Sequence, residues 1–252
     1  MSPMGLTNRD SISIQELQSR DSLLKLLKHC PIPEDELIRN LGLFIKRQDI
    51  SAIIFKNELY KQILSVPGIV IEFGVRWGQS LALFESFRGM YEPYNHYRKI
   101  VGFDTFSGFP GIHEKDGRSE VATPGGYSVT DRYEEYLNEI LQCHEQQSPI
   151  SHIKKFELVK GDARVSIDKY LSEHPETIVA LAYFDFDLYE PTRKCLEAIV
   201  PHLTKGSVIG FDELNNKDFP GETIALKEVL GLSKYRLQRC SYMSIPSFLV
   251  VE

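Results

Sequence analysis

The chain has 252 residues, 42% of them hydrophobic and 25% charged, with a formal net charge of −6. That length suits one large α/β domain, or one domain with an added helical segment, and the acidic balance disfavours nucleic acid and favours small metabolites. No apolar run approaches the ~20 residues that span a bilayer, the polar N-terminus has no signal-peptide core, and Cys30, Cys143, Cys195 and Cys240 form no C-x-x-C pair, so membrane, zinc and disulfide frameworks are disfavoured and a cytoplasmic protein is expected.

Residues 1–20 are polar and read as loose chain, with a helix start near Ser13. Residues 23–64 carry a helical pattern. Leu23, Leu24, Leu26 and Leu27 form one apolar cluster. After Pro31-Ile32-Pro33, Glu34 and Asp35 supply an acidic first turn to a second helix, with Leu37, Leu41, Phe44 and Ile45 at helical spacing. A third stretch covers residues 50–64. This N-terminal helical segment, residues 1–65, suits either a cover for a substrate pocket or a subunit interface, and the pattern does not choose between them.

From residue 66 the texture alternates. Strands are expected at 68–74, 99–103, 155–160, 178–184 and 207–211, with helices at 79–88, 163–173, 191–202 and 222–230. Two more strands, 235–243 and 247–251, flank a turn at Ser244-Ile245-Pro246. Strand–helix alternation predicts an α/β fold with a doubly wound, mostly parallel sheet, and the terminal hairpin makes it seven-stranded. One insertion breaks the rhythm between the second and third strands. It is glycine-rich (Gly108, Gly111, Gly117, Gly125, Gly126) and then helical over 131–143. A segment this long inside a domain reads as a lid, over about 107–153.

The first motif is Glu72-Phe73-Gly74-Val75-Arg76-Trp77-Gly78-Gln79-Ser80. A buried strand ends in glycines that admit close backbone approach, and a helix N-terminus follows with free N–H groups for an anion. The spacing is G-x-x-x-G, not the G-x-G-x-x-G that seats a pyrophosphate. The acid before it, Glu72, suits the amino group of an amino-acid-bearing cofactor. This stretch resembles motif I of the class I S-adenosylmethionine-dependent methyltransferases. Asp104, ending the second strand in Asp104-Thr105-Phe106-Ser107-Gly108, can take both ribose hydroxyls of an adenosine. Asp162, in Lys160-Gly161-Asp162-Ala163, reads as a helix N-cap, and in methyltransferases of that class an acid here faces the adenine amino group. Arg76 suits a cofactor carboxylate, a substrate phosphate or the open surface. Trp77 reads as packing and His113 as a solvated loop residue.

The fourth motif is the acidic segment Asp185-Phe186-Asp187-Leu188-Tyr189-Glu190, echoed one crossover later by Asp212-Glu213. Asp185 and Asp187 share a side if the strand continues that far. If the two strands are parallel neighbours, three or four carboxylates meet where ligands bind in open α/β sheets, and hard cations prefer such oxygen clusters. A D-x-D alone also fits a metal-dependent glycosyltransferase, but that role leaves the upstream adenosine-type site unused. A non-catalytic cofactor-binding module is the other alternative, and the retained acids argue against it.

These four segments, in this order and spacing over about residues 69–230, resemble the TylF/MycF family of metal-dependent sugar O-methyltransferases. The stretch Phe211-Asp212-Glu213-Leu214 with Phe219-Pro220-Gly221-Glu222 is nearest to the branch acting on the 3-hydroxyl of nucleotide-linked 6-deoxyhexoses. The resemblance implies a Rossmann-like fold. It implies S-adenosylmethionine held by Glu72, Gly74, Arg76, Gly78, Ser80, Asp104, Thr105, Phe106, Asp162 and Ala163. It implies a magnesium ion on Asp185, Asp212 and Glu213, the last being Glu where the family has Asp, with Asp187 structural. Asp185 is then also the general base, and the cation lowers the pKa of a sugar hydroxyl. The acceptor is a small-molecule sugar, nucleotide-linked or part of a glycosylated natural product, and the N-terminal helices suggest a homo-oligomer.

Overall fold

The computed structural model describes residues 13–252; of the loose chain expected over residues 1–20, residues 1–12 lie outside the described residues, and from Ile14 the chain is helical. Two compact units divide the chain, one ending at Ile50 and the other spanning Ser51–Glu252. In the first unit, helix α1 (Ile14–Lys28) is capped by Ser13, whose hydroxyl accepts the Glu16 N–H at 3.1 Å. Helix α2 (Glu34–Leu37) carries three acids in its first turn and runs into a 3-10 turn, Ile38–Leu43. None of these three elements has a buried residue. The division falls within helix α3 (Arg47–Gln62), earlier than residue 65, because Phe55, Leu59, Tyr60 and Ile63 are buried in the core of the second unit.

That unit is built on one sheet: β1 (Ile69–Phe73), β2 (Ile100–Asp104), β3 (Phe156–Lys160), β4 (Val179–Phe184), β5 (Leu203–Phe211) and β6 (Ser247–Val250), in the order β3-β2-β1-β4-β5-β6. The first five are parallel and β6 runs antiparallel to β5. Helices α4 (Gln79–Tyr91), α6 (Ala163–Glu173) and α7 (Tyr189–Ile199) link successive parallel strands, as crossovers require, and α8 (Gly221–Val229) lies between β5 and the antiparallel β6. β1 and β4 are buried along their whole length, which explains their unbroken apolar runs. Their side chains alternate between two cores: Ile71, Phe73, Ala182 and Phe184 pack with Ile167, Leu196 and Leu226, while Val70, Leu181 and Tyr183 pack with Phe55, Leu59 and Phe84.

The sheet has six strands, not the expected seven. Residues 235–243 make a single bridge, Gln238 with Phe248, and none of them is buried. Tyr235, Cys240 and Met243 pack only partly buried against the cores, so the segment lacks the fully buried face that a further strand would present. The insertion also departs from a simple lid. Its helix α5 (Tyr133–Gln147) buries Leu137 and Leu141 in the core, and buried Glu145 pairs with Arg88 at 3.1 Å and Lys155 at 2.5 Å. Among the described residues no helix is long and apolar enough to cross a membrane.

Candidate active site

Register positions the site. Phe103, Phe73, Phe184 and Phe211 are cross-strand neighbours on β2, β1, β4 and β5. Their rings form a continuous row with successive centroids 5.3, 4.7 and 5.3 Å apart. One residue beyond each phenylalanine stand Asp104, Gly74, Asp185 and Asp212. The backbone ladder extends to them: Gly74 N–H donates to Phe103 O at 3.0 Å, Asp185 N–H to Phe73 O at 2.8 Å and Asp212 N–H to Phe184 O at 3.0 Å. An apolar floor thus carries a polar rim at the C-terminal edge of the sheet, where open α/β folds bind ligands.

The cofactor-side turn is tightly determined. Gly74 has φ +93°, and Arg76, though not glycine, has φ +48°. Asp104 explains both this turn and the next loop, since Oδ2 accepts the Arg76 N–H at 2.8 Å and Oδ1 accepts the Phe106 N–H at 2.6 Å. Phe106 is itself left-handed (φ +55°) and buried. The helix α4 that follows has Gly78 at its N-cap with no side-chain acceptor, so apart from the Leu81 N–H, which Glu72 engages, its first turn is left uncapped toward an anion. Beneath the turn, Glu72 is fully buried and Oε2 has no partner. Burial pushes its carboxyl up to about 8, against the pull of Ser80, Lys56 and the Leu81 N–H. The Arg76 guanidinium lies 4.6 Å from the Tyr127 ring centroid, and its Nε has no partner.

Other expected contacts have local occupations. The Thr105 hydroxyl closes its own loop, donating to Gly108 O at 2.7 Å and accepting the Ser107 N–H at 3.1 Å. Asp162 caps α6 through the Arg164 N–H at 3.0 Å and ion-pairs with the Arg164 guanidinium at 2.6 Å, so its carboxylate is already engaged. Ala163 is buried in the core. Gly161 N–H donates to Asp104 O at 2.9 Å, which keeps this strand end beside Asp104. Trp77 packs edge-on against Tyr133 at 4.8 Å.

On the acidic side, β4 stops at Phe184, and Asp187 is left-handed at φ +61°, so strand parity does not govern it. Asp187 still belongs to the acid group. Burial and the neighbouring Glu213 and Asp212 carboxylates hold its carboxyl well above the usual range. Burial, then Asp212 and Asp187, do the same to Asp185, with Lys56 opposing. Glu213 is pushed up to about 7 by burial and Asp212. The Tyr183 O–H donates to Asp212 Oδ1 at 2.8 Å, and Asn216 Nδ2 donates to Glu213 Oε2.

The expected magnesium cage is not preformed. Among the described residues no group of three or more His, Cys, Asp or Glu side chains is arranged to hold a metal ion. Two of the three expected ligands, Asp212 and Glu213, have instead turned to protein donors. The oxygen-only donor set nevertheless matches a hard cation in kind.

Four residues near these acids were not singled out from sequence. Lys56 on α3 is buried, with Nζ 4.8 Å from the Tyr183 ring centroid. A lysine between Phe55 and the buried Leu59–Tyr60 pair on a helix face was the available signal. Tyr127 comes from the insertion, where nothing local marks it. Buried Asp116 and Glu222 accept backbone N–H groups of the acidic loops.

A glycine turn, an acid on the adjacent strand and a carboxylate rim on a doubly wound sheet define a class I methyltransferase. No protein-family model and no curated protein matches the chain. Solved structures do. The crystal structure of CalS11, a calicheamicin methyltransferase, is 45% identical over 99% of this chain and 98% of that one, with a TM-score of 0.93. An apo structure of CalS11, described as a TDP-rhamnose 3'-O-methyltransferase of calicheamicin biosynthesis, is 43% identical over 95% of each chain, with a TM-score of 0.84. The O-methyltransferase NovP, 17% identical over 80% of each chain with a TM-score of 0.58, shares the fold alone. The chain belongs to the TylF/MycF family of S-adenosylmethionine-dependent sugar O-methyltransferases. Glycosyl transfer and a non-catalytic module are thereby set aside.

Proposed function

We propose that the protein moves the methyl group of S-adenosylmethionine to a hydroxyl of a nucleotide-linked 6-deoxyhexose, with magnesium at the acidic rim. One observation carries this reading: Gly74 packs directly against the Asp185 backbone, so a donor over the glycine turn and an acceptor at the acids are neighbours. Similarity to an enzyme described as acting on TDP-rhamnose supports the choice of acceptor.

At the cofactor end, the partnerless Glu72 Oε2 and the open first turn of α4 fit the amino and carboxylate groups of an amino-acid moiety. Gly74, Gly78 and Ser80 form the floor, and Arg76 offers its unpaired Nε to a carboxylate or phosphate. Each Asp104 oxygen accepts one backbone N–H and keeps a lone pair for a ribose hydroxyl. Around the adenosine end, Phe106 is held by Asp104, while Thr105, Asp162 and Ala163 keep the local contacts described above. S-adenosylmethionine, when bound, supplies the methyl group as a sulfonium electrophile.

At the acceptor end, Asp185, Asp212 and Glu213 would hold the cation, in competition with the Tyr183 and Asn216 hydrogen bonds. A bound divalent cation supplies a Lewis acid and relieves the repulsion among these carboxylates. Asp185, as its carboxylate, accepts the hydroxyl proton in this reading. Residues 105–132 of the insertion act as the cover, with Tyr127 over Arg76. Exposed Ile14, Leu26, Ile38 and Leu43 support a homo-oligomer, and four unpaired cysteines support a reducing, cytoplasmic setting.

The test is a panel of nucleotide deoxysugars and glycosylated natural products with labelled S-adenosylmethionine, with and without chelator. Transfer to a TDP-6-deoxyhexose, lost on chelation and restored by magnesium, is the expected result. Transfer only to glycosylated natural products would reject the acceptor, and activity indifferent to chelation would reject the cation.

A further inference from the structure

Two buried carboxylates that the chemistry above does not use hold the acidic loops, Asp116 from the insertion and Glu222 from α8. Asp116, 1% exposed, accepts the His113 N–H at Oδ2 and the Tyr189 N–H at Oδ1, both at 2.6 Å. Tyr189 is the first residue of α7, and the N-cap residue Leu188 makes no side-chain cap hydrogen bond. The helix that closes the Asp185–Leu188 segment is therefore capped by an acid 73 residues earlier in the chain. Glu222, fully buried, accepts the Phe186 and Asp187 N–H groups at Oε1 (3.2 and 3.3 Å) and the Glu213 N–H at Oε2 (3.3 Å).

The packing leaves no slack around this junction. A Cβ on Gly221 would meet Tyr189 N at 2.5 Å and Asp116 Oδ1 at 3.0 Å, and one on Gly117 would meet Asp218 O at 2.5 Å. Outside it, Lys115 Nζ and the Tyr189 O–H both reach Glu228, at 2.7 and 2.5 Å. The acidic segment is thus held at both ends, by Phe73 O on the Asp185 N–H and by Asp116 on the Tyr189 N–H. Between them Asp187 keeps a left-handed backbone, a conformation that persists only where surrounding contacts impose it.

We propose that Asp116 is a positioning residue for methyl transfer. By capping α7 from the insertion, it makes docking of the insertion and placement of Asp185 a single event. This rests on the reading of Asp185 as the base. The cap requires an acceptor oxygen at Oδ1, which an amide supplies, at the cost of setting its NH2 against the His113 N–H in place of Oδ2.

The experiment compares the full-length wild type with Asp116→Ala and Asp116→Asn, using labelled S-adenosylmethionine and TDP-rhamnose. The alanine variant is expected to lose about tenfold or more in kcat, while both KM values and S-adenosylhomocysteine affinity stay within about threefold. The asparagine variant, which keeps one acceptor oxygen for Tyr189, is expected to fall between the alanine variant and the wild type. A kcat within about twofold of wild type in the alanine variant overturns the proposal. So does a parallel fall of kcat and S-adenosylhomocysteine affinity, the mark of general loosening. Amide exchange gives a readout that needs no substrate: Tyr189 N–H should exchange about tenfold faster in Asp116→Ala, with Ile71 N–H unchanged. Unchanged Tyr189 exchange removes the cap and the proposal with it. If the wild type methylates no nucleotide sugar, the functional reading fails, and the exchange arm still decides whether Asp116 holds α7.

Discussion

Gly74 and Asp185 meet through the backbone: a Cβ on Gly74 would stand 2.0 Å from the Asp185 carbonyl oxygen. The glycine of the cofactor turn is therefore also what lets the acidic strand end close beside it. Gly74→Ala meets two penalties, the clash and a φ of +93°. We expect loss of S-adenosylhomocysteine binding and of activity together, with at least ~1–2 kcal/mol of lost stability. Calorimetric titration and denaturant unfolding check this; a variant that binds normally would refute the close approach.

Asp185→Ala separates chemistry from binding. Turnover should fall by about a thousandfold or more, in the range expected when a base is removed, while S-adenosylhomocysteine affinity changes little. Single-turnover transfer and calorimetry on one preparation test it. Activity at the wild-type level would remove Asp185 from the mechanism.

Asp104→Ala should act in the opposite sense. Its carboxylate holds the Arg76 and Phe106 N–H groups, both on left-handed residues. Without it two loops lose their acceptor and, in the proposed binding mode, the cofactor its ribose partner. S-adenosylhomocysteine affinity should drop at least about tenfold, or ~1.4 kcal/mol. Asp104→Asn keeps one acceptor oxygen and should fall between. An unchanged dissociation constant would refute both roles.

A pH prediction comes from α4, away from the chemistry. Glu85 is fully buried and neither carboxylate oxygen has a partner. Burial pushes it from 4.5 up to about 8, against the pull of Arg88. The folded state therefore keeps a proton that the unfolded chain releases. The stability this group contributes is whole below about pH 4.5 and is lost as pH rises toward about 8. Relative to Glu85→Gln, the wild type should lose stability across that window, by up to about 1.4 kcal/mol per pH unit. Urea midpoints for both proteins near its two ends measure the difference. A constant offset would show that Glu85 does not titrate there.

Sequence alone determined the parallel sheet and the rim. The apolar runs ending in Phe73-Gly74, Phe103-Asp104, Phe184-Asp185 and Phe211-Asp212 report strands whose last buried residue is followed at once by a glycine or an acid of the rim. Local periodicity encodes burial, so strand ends are readable. Only the tertiary structure decided which carboxylates are taken up by protein donors. Asp162 caps α6 and pairs with Arg164, Asp187 leaves strand geometry, and Asp116 and Glu222 hold loops distant in sequence. It also brought Lys56 and Tyr127 to the rim, and left residues 235–243 outside the sheet. The physical reason is common to all of these: an N–H, a carboxylate or an edge takes whichever partner sheet order brings within about 3 Å, and that proximity is not written in any local stretch of the chain.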